Sequence, residues 1–177
     1  MLMDNYSSFA YCFLLQSKDK TYTAVKQFLE LVNNQHNKVV KQFCSDQGGE
    51  FKSKKFDELL ASKGIVRQSS TPHIHQQNGW AECLNDTILG KSESMHMHAE
   101  CPQSWWEFSF QTAVHVYNRT PLRWTNWKTP YENIFGKNQM YNTLKYLDVS
   151  HGFTNPKRFI KIRKQIDLNL WPLLVIK

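Results

Sequence analysis

Long apolar runs are missing from this chain: nowhere does it approach the roughly 18 uninterrupted apolar residues that a membrane span requires. The start MLMDNYSSF carries an acid where a secretion signal needs a basic opening and a long apolar core. The expectation is a soluble, intracellular protein, nuclear or cytoplasmic and not secreted. Closely spaced cysteines are missing too. Cys12, Cys44, Cys83 and Cys101 form no CxxC pair, which argues against a zinc knuckle or a disulfide scaffold and predicts free, mostly buried thiols. Acid is scarce, with 15 Asp and Glu against 22 Lys and Arg. The resulting +7 favours a polyanionic partner. No internal repeat is present.

The 177 residues suffice for one domain, which would bury roughly 70% of the surface of the unfolded chain. A hydrophobic content of 41%, with 14% aromatics, argues against disorder. Positive charge gathers in NPKRFIKIRK (155–164), where Lys157, Arg158, Lys161, Arg163 and Lys164 read equally as a solvated face or as a nucleic-acid contact.

Periodicity lays out an α/β pattern around a mixed sheet. FAYCFLL (9–15) reads as a strand buried on both faces, with MLM as the tail of a partner strand and DNYSS as the turn between them. From Lys20 to Asn33, Val25, Phe28, Leu29 and Val32 recur three or four apart, which predicts an amphipathic helix. KVVKQFCS (38–45) is a strand. SKKFDELLASKG (53–64) is a helix capped by Ser53 and ended by Gly64, and IVRQSS (65–70) is a short strand. TPHIHQQNG (71–79) reads as a loop. A helix from Trp80 to about Ala99 carries Ala81, Leu84, Ile88 and Met95 as its stripe. A second helix, after Pro102, runs to about Asn118 with Trp105, Trp106, Phe110 and Val114 as its core face. Beyond Thr120 the prolines and TPYENIFGK break the periodicity, and the last thirty residues read as short strands and turns.

Two acids stand out. Asp46 ends an apolar strand in QFCSDQGGEF, and ligand-binding groups of open α/β sheets gather beyond strand ends. Gly48 and Gly49 leave room for a bulky anionic ligand to approach the backbone. Glu82 falls in the first turn of the helix that follows QQNG, where the helix dipole alone would favour it. Taken singly, each reads as a turn or cap residue. The HxH pairs at His73 and His75 and at His96 and His98 read as surface or core histidines rather than as remnants of a zinc site.

The combination is more specific. CSDQGGEF followed by TPHIHQQNGWAE resembles the catalytic core of retroviral-type integrases. NDTIL, HMHAECPQSWWEFSFQTAVHVYNRTP and TPYENIFGK are similar to the copia-type branch found in LTR retrotransposon polyproteins. The opening MLMDNYSSFAYCFLLQSKDK resembles the second and third strands of that core. The resemblance spans about residues 1–147 as ordered segments. It implies an RNase H-like fold, a five-stranded mixed sheet flanked by helices, in which two Asp and one Glu hold two Mg²⁺ or Mn²⁺ ions. Hard divalent ions take carboxylate oxygens, and a pair of ions roughly 3.5–4 Å apart serves in-line displacement at phosphorus. By this matching Asp46 is the second acid and Glu82 the third, both catalytic and metal-binding. Gly48, Asn78 and Gly79 would lie against the DNA. The partners implied are DNA or RNA and further copies of the chain, with no membrane.

The sequence departs from the family at several points. The strand that bears the first acid is not among these residues, and Asp4, which matches an acid at the turn after the second strand, lies on the wrong side of the hairpin to replace it. Cys83, Leu84 and Asp86 stand where relatives carry basic residues, and Ser7 and Ser8 stand where an arginine is common. The expected organisation is an integrase core at 1–120, a connecting segment at 121–146 and the start of an SH3-like barrel at 147–177, cut at both ends. The expected function is an integrase-core fragment whose ancestral reaction is 3′-end processing and strand transfer of DNA. With two carboxylates of three it is expected to be inactive. The alternatives are a non-catalytic nucleic-acid-binding or host co-opted interaction module, held by Lys157, Arg158, Lys161 and Arg163, and an inert fragment that barely folds.

Overall fold

The computed structural model describes residues 1–45, 48–69 and 79–137. Their order is β1 (Leu2–Met3), β2 (Ala10–Tyr11), α1 (Thr21–His36), β3 (Gln42–Ser45), α2 (Lys54–Ser62), β4 (Val66–Ser69), α3 (Gly79–His98), α4 (Trp106–Asn118) and α5 (Pro130–Phe135). Among the described residues the four strands form two two-stranded sheets, β1 with β2 and β3 with β4. No described helix is long and apolar enough to cross a membrane. The chain divides into two compact units, one built from 1–12 and 84–137, the other from the described part of 13–83.

In the first unit, β1 and β2 pair antiparallel, Leu2 opposite Tyr11 and Met3 opposite Ala10. The DNYSS turn between them is tied by Asp4, whose carboxylate accepts from both the backbone N–H and the hydroxyl of Ser7. Asp4 N–H donates to the Phe9 carbonyl (2.9 Å), and Ser8 takes the left-handed conformation at φ 61°. Every residue from Ser7 to Leu15 is buried, so the two-sided burial expected of FAYCFLL is present, although the paired strand is only Ala10–Tyr11. Burial rather than laddering marks this stretch.

The long helix α3 runs as expected, but its buried positions are Leu84, Ile88 and Ser92, one turn apart, while Ala81 is exposed. In α4 the buried positions are Ser109, Ala113, Val114, His115, Tyr117 and Asn118. Of the expected face only Val114 is buried. Trp105 and Phe110 are half-buried and Trp106 is 37% exposed. Small residues let α4 approach its neighbours, and its bulky N-terminal indoles cannot fit such a close approach. The helix α5, which stands where broken periodicity predicts no regular element, is fixed by a capping box. Thr129 Oγ1 accepts from Glu132 N–H (3.0 Å), and the Glu132 carboxylate accepts from Thr129 N–H (2.7 Å). Pro130 opens the helix, and Gly136 closes it at φ 65°.

In the second unit, α1 buries Ala24, Val25, Phe28, Leu29 and Val32, the expected stripe, and the ring of Phe28 meets Phe13 edge-on at 6.1 Å. Ser53 caps α2 by accepting from Phe56 N–H, and Gly64 turns the chain at φ 66°. Phe56, fully buried, stabilises this unit by roughly 1.5–3 kcal/mol through burial alone. No cysteine forms a disulfide among the described residues, but only Cys12 is buried; Cys44 and Cys83 are exposed and Cys101 is intermediate. Segments 46–47, 70–78 and 138–177 lie outside the described residues, and with them the expected loop at 71–79 and the barrel-like end.

Candidate active site

The second unit brings two strand ends side by side. β3 and β4 run parallel with Gln42 opposite Val66 and Ser45 opposite Ser69. Parallel neighbours need a crossover, and α2 supplies it. Both chains therefore leave the sheet at the same end, the position where open α/β sheets place their ligand groups. One leads directly into Asp46, and the other leads through 70–78 to α3 and Glu82.

The strand end is anchored by rings. Phe43 on β3 lies 6.1 Å from Phe51 and 5.5 Å from Phe56, and Phe51 and Phe56 meet edge-on at 5.4 Å. Phe51 closes the short turn Gly49–Phe51, in which Phe51 N–H donates to the Gly48 carbonyl (3.1 Å). The segment that leaves Ser45 is thus pinned again five residues after Asp46. Nothing in the sequence reading singled out Phe51; its place at the end of GGEF, after a turn and before a helix cap, was the available signal.

Gly48 has an ordinary φ of −52°, so its backbone does not require glycine. At Gly49 an added Cβ would meet nothing within 4 Å, so self-packing leaves that side of the turn open. Ser45 is buried, and its Oγ has no hydrogen-bond partner among the described residues.

Glu82 lies in the first turn of α3, exposed, and no hydrogen bond or ion pair engages it among the described residues. Asp86, one turn on, is exposed as well, so this face presents two acids. On β4, the cation Arg67 is engaged by α2. Its guanidinium donates to Asp57 at 2.6 Å and lies 5.9 Å from the centre of the Phe56 ring. Gly79 opens α3. Asp46, Asn78, Lys157, Arg158, Lys161 and Arg163 lie outside the described residues.

Other candidates resolve structurally. The Asp4 carboxylate is taken up by the hairpin turn. His96 Nδ1 is 3.0 Å from Ser109 Oγ, and His98 is exposed. Among the described residues no group of three or more His, Cys, Asp or Glu could hold a metal ion. Carboxylate oxygens suit a hard divalent ion, and Glu82 is unencumbered for that role among the described residues.

No protein-family model matches the chain. It is 32% identical over 142 residues to the retrovirus-related Pol polyprotein from transposon TNT 1-94 of Nicotiana tabacum, covering 75% of this chain and 11% of that protein. It is 26% identical over 145 residues to the corresponding polyprotein from transposon RE1 of Arabidopsis thaliana, covering 82% of this chain and 10% of that one. The chain thus spans about a tenth of the length of the curated relatives it matches. In three dimensions it is similar to the HTLV-2 integrase catalytic core domain, solved in complex with magnesium in a trimeric form. That match has a TM-score of 0.56 at 19% identity and covers 75% of this chain and 80% of that one.

Proposed function

We propose, for a chain whose homologues are Pol polyproteins of plant copia-type transposons and whose α/β fold resembles retroviral integrase catalytic cores, that it is a retrotransposon integrase-core fragment that binds DNA and one divalent ion. The observation that carries this is the parallel β3–β4 pair: its aligned ends lead to Asp46 and to Glu82, the second of them exposed and unengaged.

Asp46 and Glu82 would hold Mg²⁺ or Mn²⁺. Bound there, the ion supplies positive charge for phosphate oxygens. Phe51 and the Phe43–Phe56 pair anchor the β3 end that leads to Asp46, and the open side of Gly49, with Gly48, leaves space for a DNA backbone. Asn78 and Gly79 would approach the DNA from the start of α3. Asp86 repels phosphate and weakens that approach.

We read the chain as an RNase H-like fold with a five-stranded mixed sheet, with 1–120 as the core, 121–146 as a connecting segment and 147–177 as the start of a small barrel. The working form would be an oligomer, in the nucleus or cytoplasm. Two carboxylates do not hold two ions, so the 177-residue polypeptide by itself does not integrate DNA.

Titration with Mn²⁺, followed by the loss of the free-ion paramagnetic signal, tests the site. One ion should bind, and Asp46→Asn or Glu82→Gln should each weaken it about tenfold or more. Equal binding by the double variant refutes the site, and robust strand transfer by this polypeptide, abolished by Asp46→Asn, refutes its inactivity.

A second reading is a non-catalytic nucleic-acid-binding module, favoured by the basic stretch at 155–164. RNA is then as good a partner as DNA. Charge reversal of Lys157, Arg158, Lys161 and Arg163 should abolish binding, while Glu82→Gln leaves it unchanged.

A further inference from the structure

The loop between α4 and α5 exposes two indoles at once. Trp127 is 70% exposed and Trp124 55%, although free energy favours covering both. The loop is not slack. Leu122 N–H donates to the Lys128 carbonyl (3.2 Å) and Trp127 N–H to the Leu122 carbonyl (3.0 Å). The Thr125 hydroxyl is within hydrogen-bond reach of both those carbonyls. Asn126 and Trp127 are both left-handed, at φ 54° and 62°. Asparagine tolerates that region, whereas a bulky side chain there is an outlier of the kind found at binding sites.

The rigidity extends to the hairpin. Trp124 Nε1–H donates to Ser8 Oγ at 3.0 Å, and Tyr6, 84% exposed, lies on the same turn as Ser8. The indole of Trp127 has no hydrogen bond or ring contact among the described residues. Charge completes the surface. Arg123 and Lys128 flank the indoles and are exposed, and no acid occurs between Glu107 and Glu132.

We propose that Leu122–Lys128 is a stacking platform for a single-stranded nucleic acid, with Trp127 and Trp124 taking unpaired bases and Arg123 and Lys128 the phosphates. Flat rings with cations beside them suit bases that are free to unstack, and every base offers a face, so recognition is tolerant of sequence. A duplex hides those faces. An apolar protein partner would leave both cations unanswered. The platform lies in the unit formed by the hairpin and α4, whereas Asp46 and Glu82 belong to the other unit, so it goes beyond the carboxylate reading and does not depend on it.

Binding of fluorescently labelled 20-nucleotide dT and rU strands and of a 20-base-pair duplex, read by anisotropy at one fixed salt concentration, tests the proposal. The whole chain should bind one or both strands more tightly than the duplex, and the two strands tell DNA from RNA. Trp127→Gly should weaken strand binding about tenfold or more while its melting temperature holds or rises, because glycine accepts φ 62° without strain. Trp127→Phe should recover most of the affinity. Trp127→Gly should bind Mn²⁺ as the parent does, so failure of the carboxylate reading and failure of this one appear in different measurements. Parental strand binding by Trp127→Gly overturns the platform, as does equal affinity for strand and duplex. Self-association that Trp127→Gly abolishes, with no strand binding by the parent, makes the surface an interface between copies and overturns it equally.

Discussion

Asn118 on α4 pairs through its carboxamide with both backbone polar groups of Ala10 on β2. Its Oδ1 accepts from Ala10 N–H and its Nδ2 donates to the Ala10 carbonyl, each at 2.8 Å, and both residues are completely buried. The carboxamide supplies one donor and one acceptor, as a neighbouring strand would. Asn118→Ala would leave two buried backbone groups unsatisfied, at about 1–3 kcal/mol each. Urea unfolding should show a loss of about 2–5 kcal/mol. Asn118→Asp, which keeps the acceptor and loses the donor, should also destabilise.

His115 sits three residues earlier, 6% exposed, with neither ring nitrogen hydrogen-bonded among the described residues. Burial, with a lesser push from Arg119, lowers its pKa to about 3, so the folded state holds a neutral imidazole. The unfolded chain protonates near pH 6.5 and therefore binds more protons than the folded one between those values. The stability is fully present above about pH 6.5 and falls as the pH drops toward 3, by up to about 1.4 kcal/mol per pH unit from this group. Unfolding measured across that range should flatten in His115→Leu. At pH 7 that variant should match or exceed the parent in stability.

Arg119 lies 4.6 Å from the centre of the Tyr131 ring, and burial holds its pKa below the usual guanidinium range. Arg119→Lys keeps the charge and loses the flat stacking partner. A loss of about 0.5–2 kcal/mol is expected, measured as a shift in the urea midpoint.

The capping box makes a sharper case. Thr129→Ala removes the hydroxyl that accepts from Glu132 N–H and should cost about 1 kcal/mol, visible as a lower melting temperature. Thr129→Ser should recover most of it.

For the candidate site, Phe51→Ala removes one corner of the Phe43–Phe51–Phe56 triangle without touching a carboxylate. Mn²⁺ should then bind more weakly while the fold survives, and unchanged affinity would show that ion binding does not rely on this anchor.

Local chemistry was legible where the sequence carried its own signal. The Ser53 cap, the Gly64 turn, the α1 stripe and the DNYSS reversal stand where the residues place them. Tertiary choices were less so. Helical spacing in α4 was plain, but periodicity does not say which stripe faces inward, and the bulkiest face proved half-open while Ser109, Ala113 and Asn118 went inside. TPYE announced a capping box with proline at its first turn, a local signal outweighed by the absence of a long stripe. Of the candidate acids, Glu82 stands in the first turn of α3 as expected. Motif resemblance singled out Asp46 and Glu82 together, and the side-by-side ends of β3 and β4 followed from strand pairing that one sequence does not display.

The cysteines carry one further consequence. Cys44 lies two residues before Asp46 and Cys83 one residue after Glu82, and both are exposed, whereas Cys12 is buried and its thiol pKa is raised to about 11. The polypeptide therefore carries its own pair of chemical handles beside the two acids, with Cys101 the competitor to remove first. A graded series of bis-maleimides bridging Cys44 and Cys83 would act as a molecular ruler across the site, with every carboxylate left as it is.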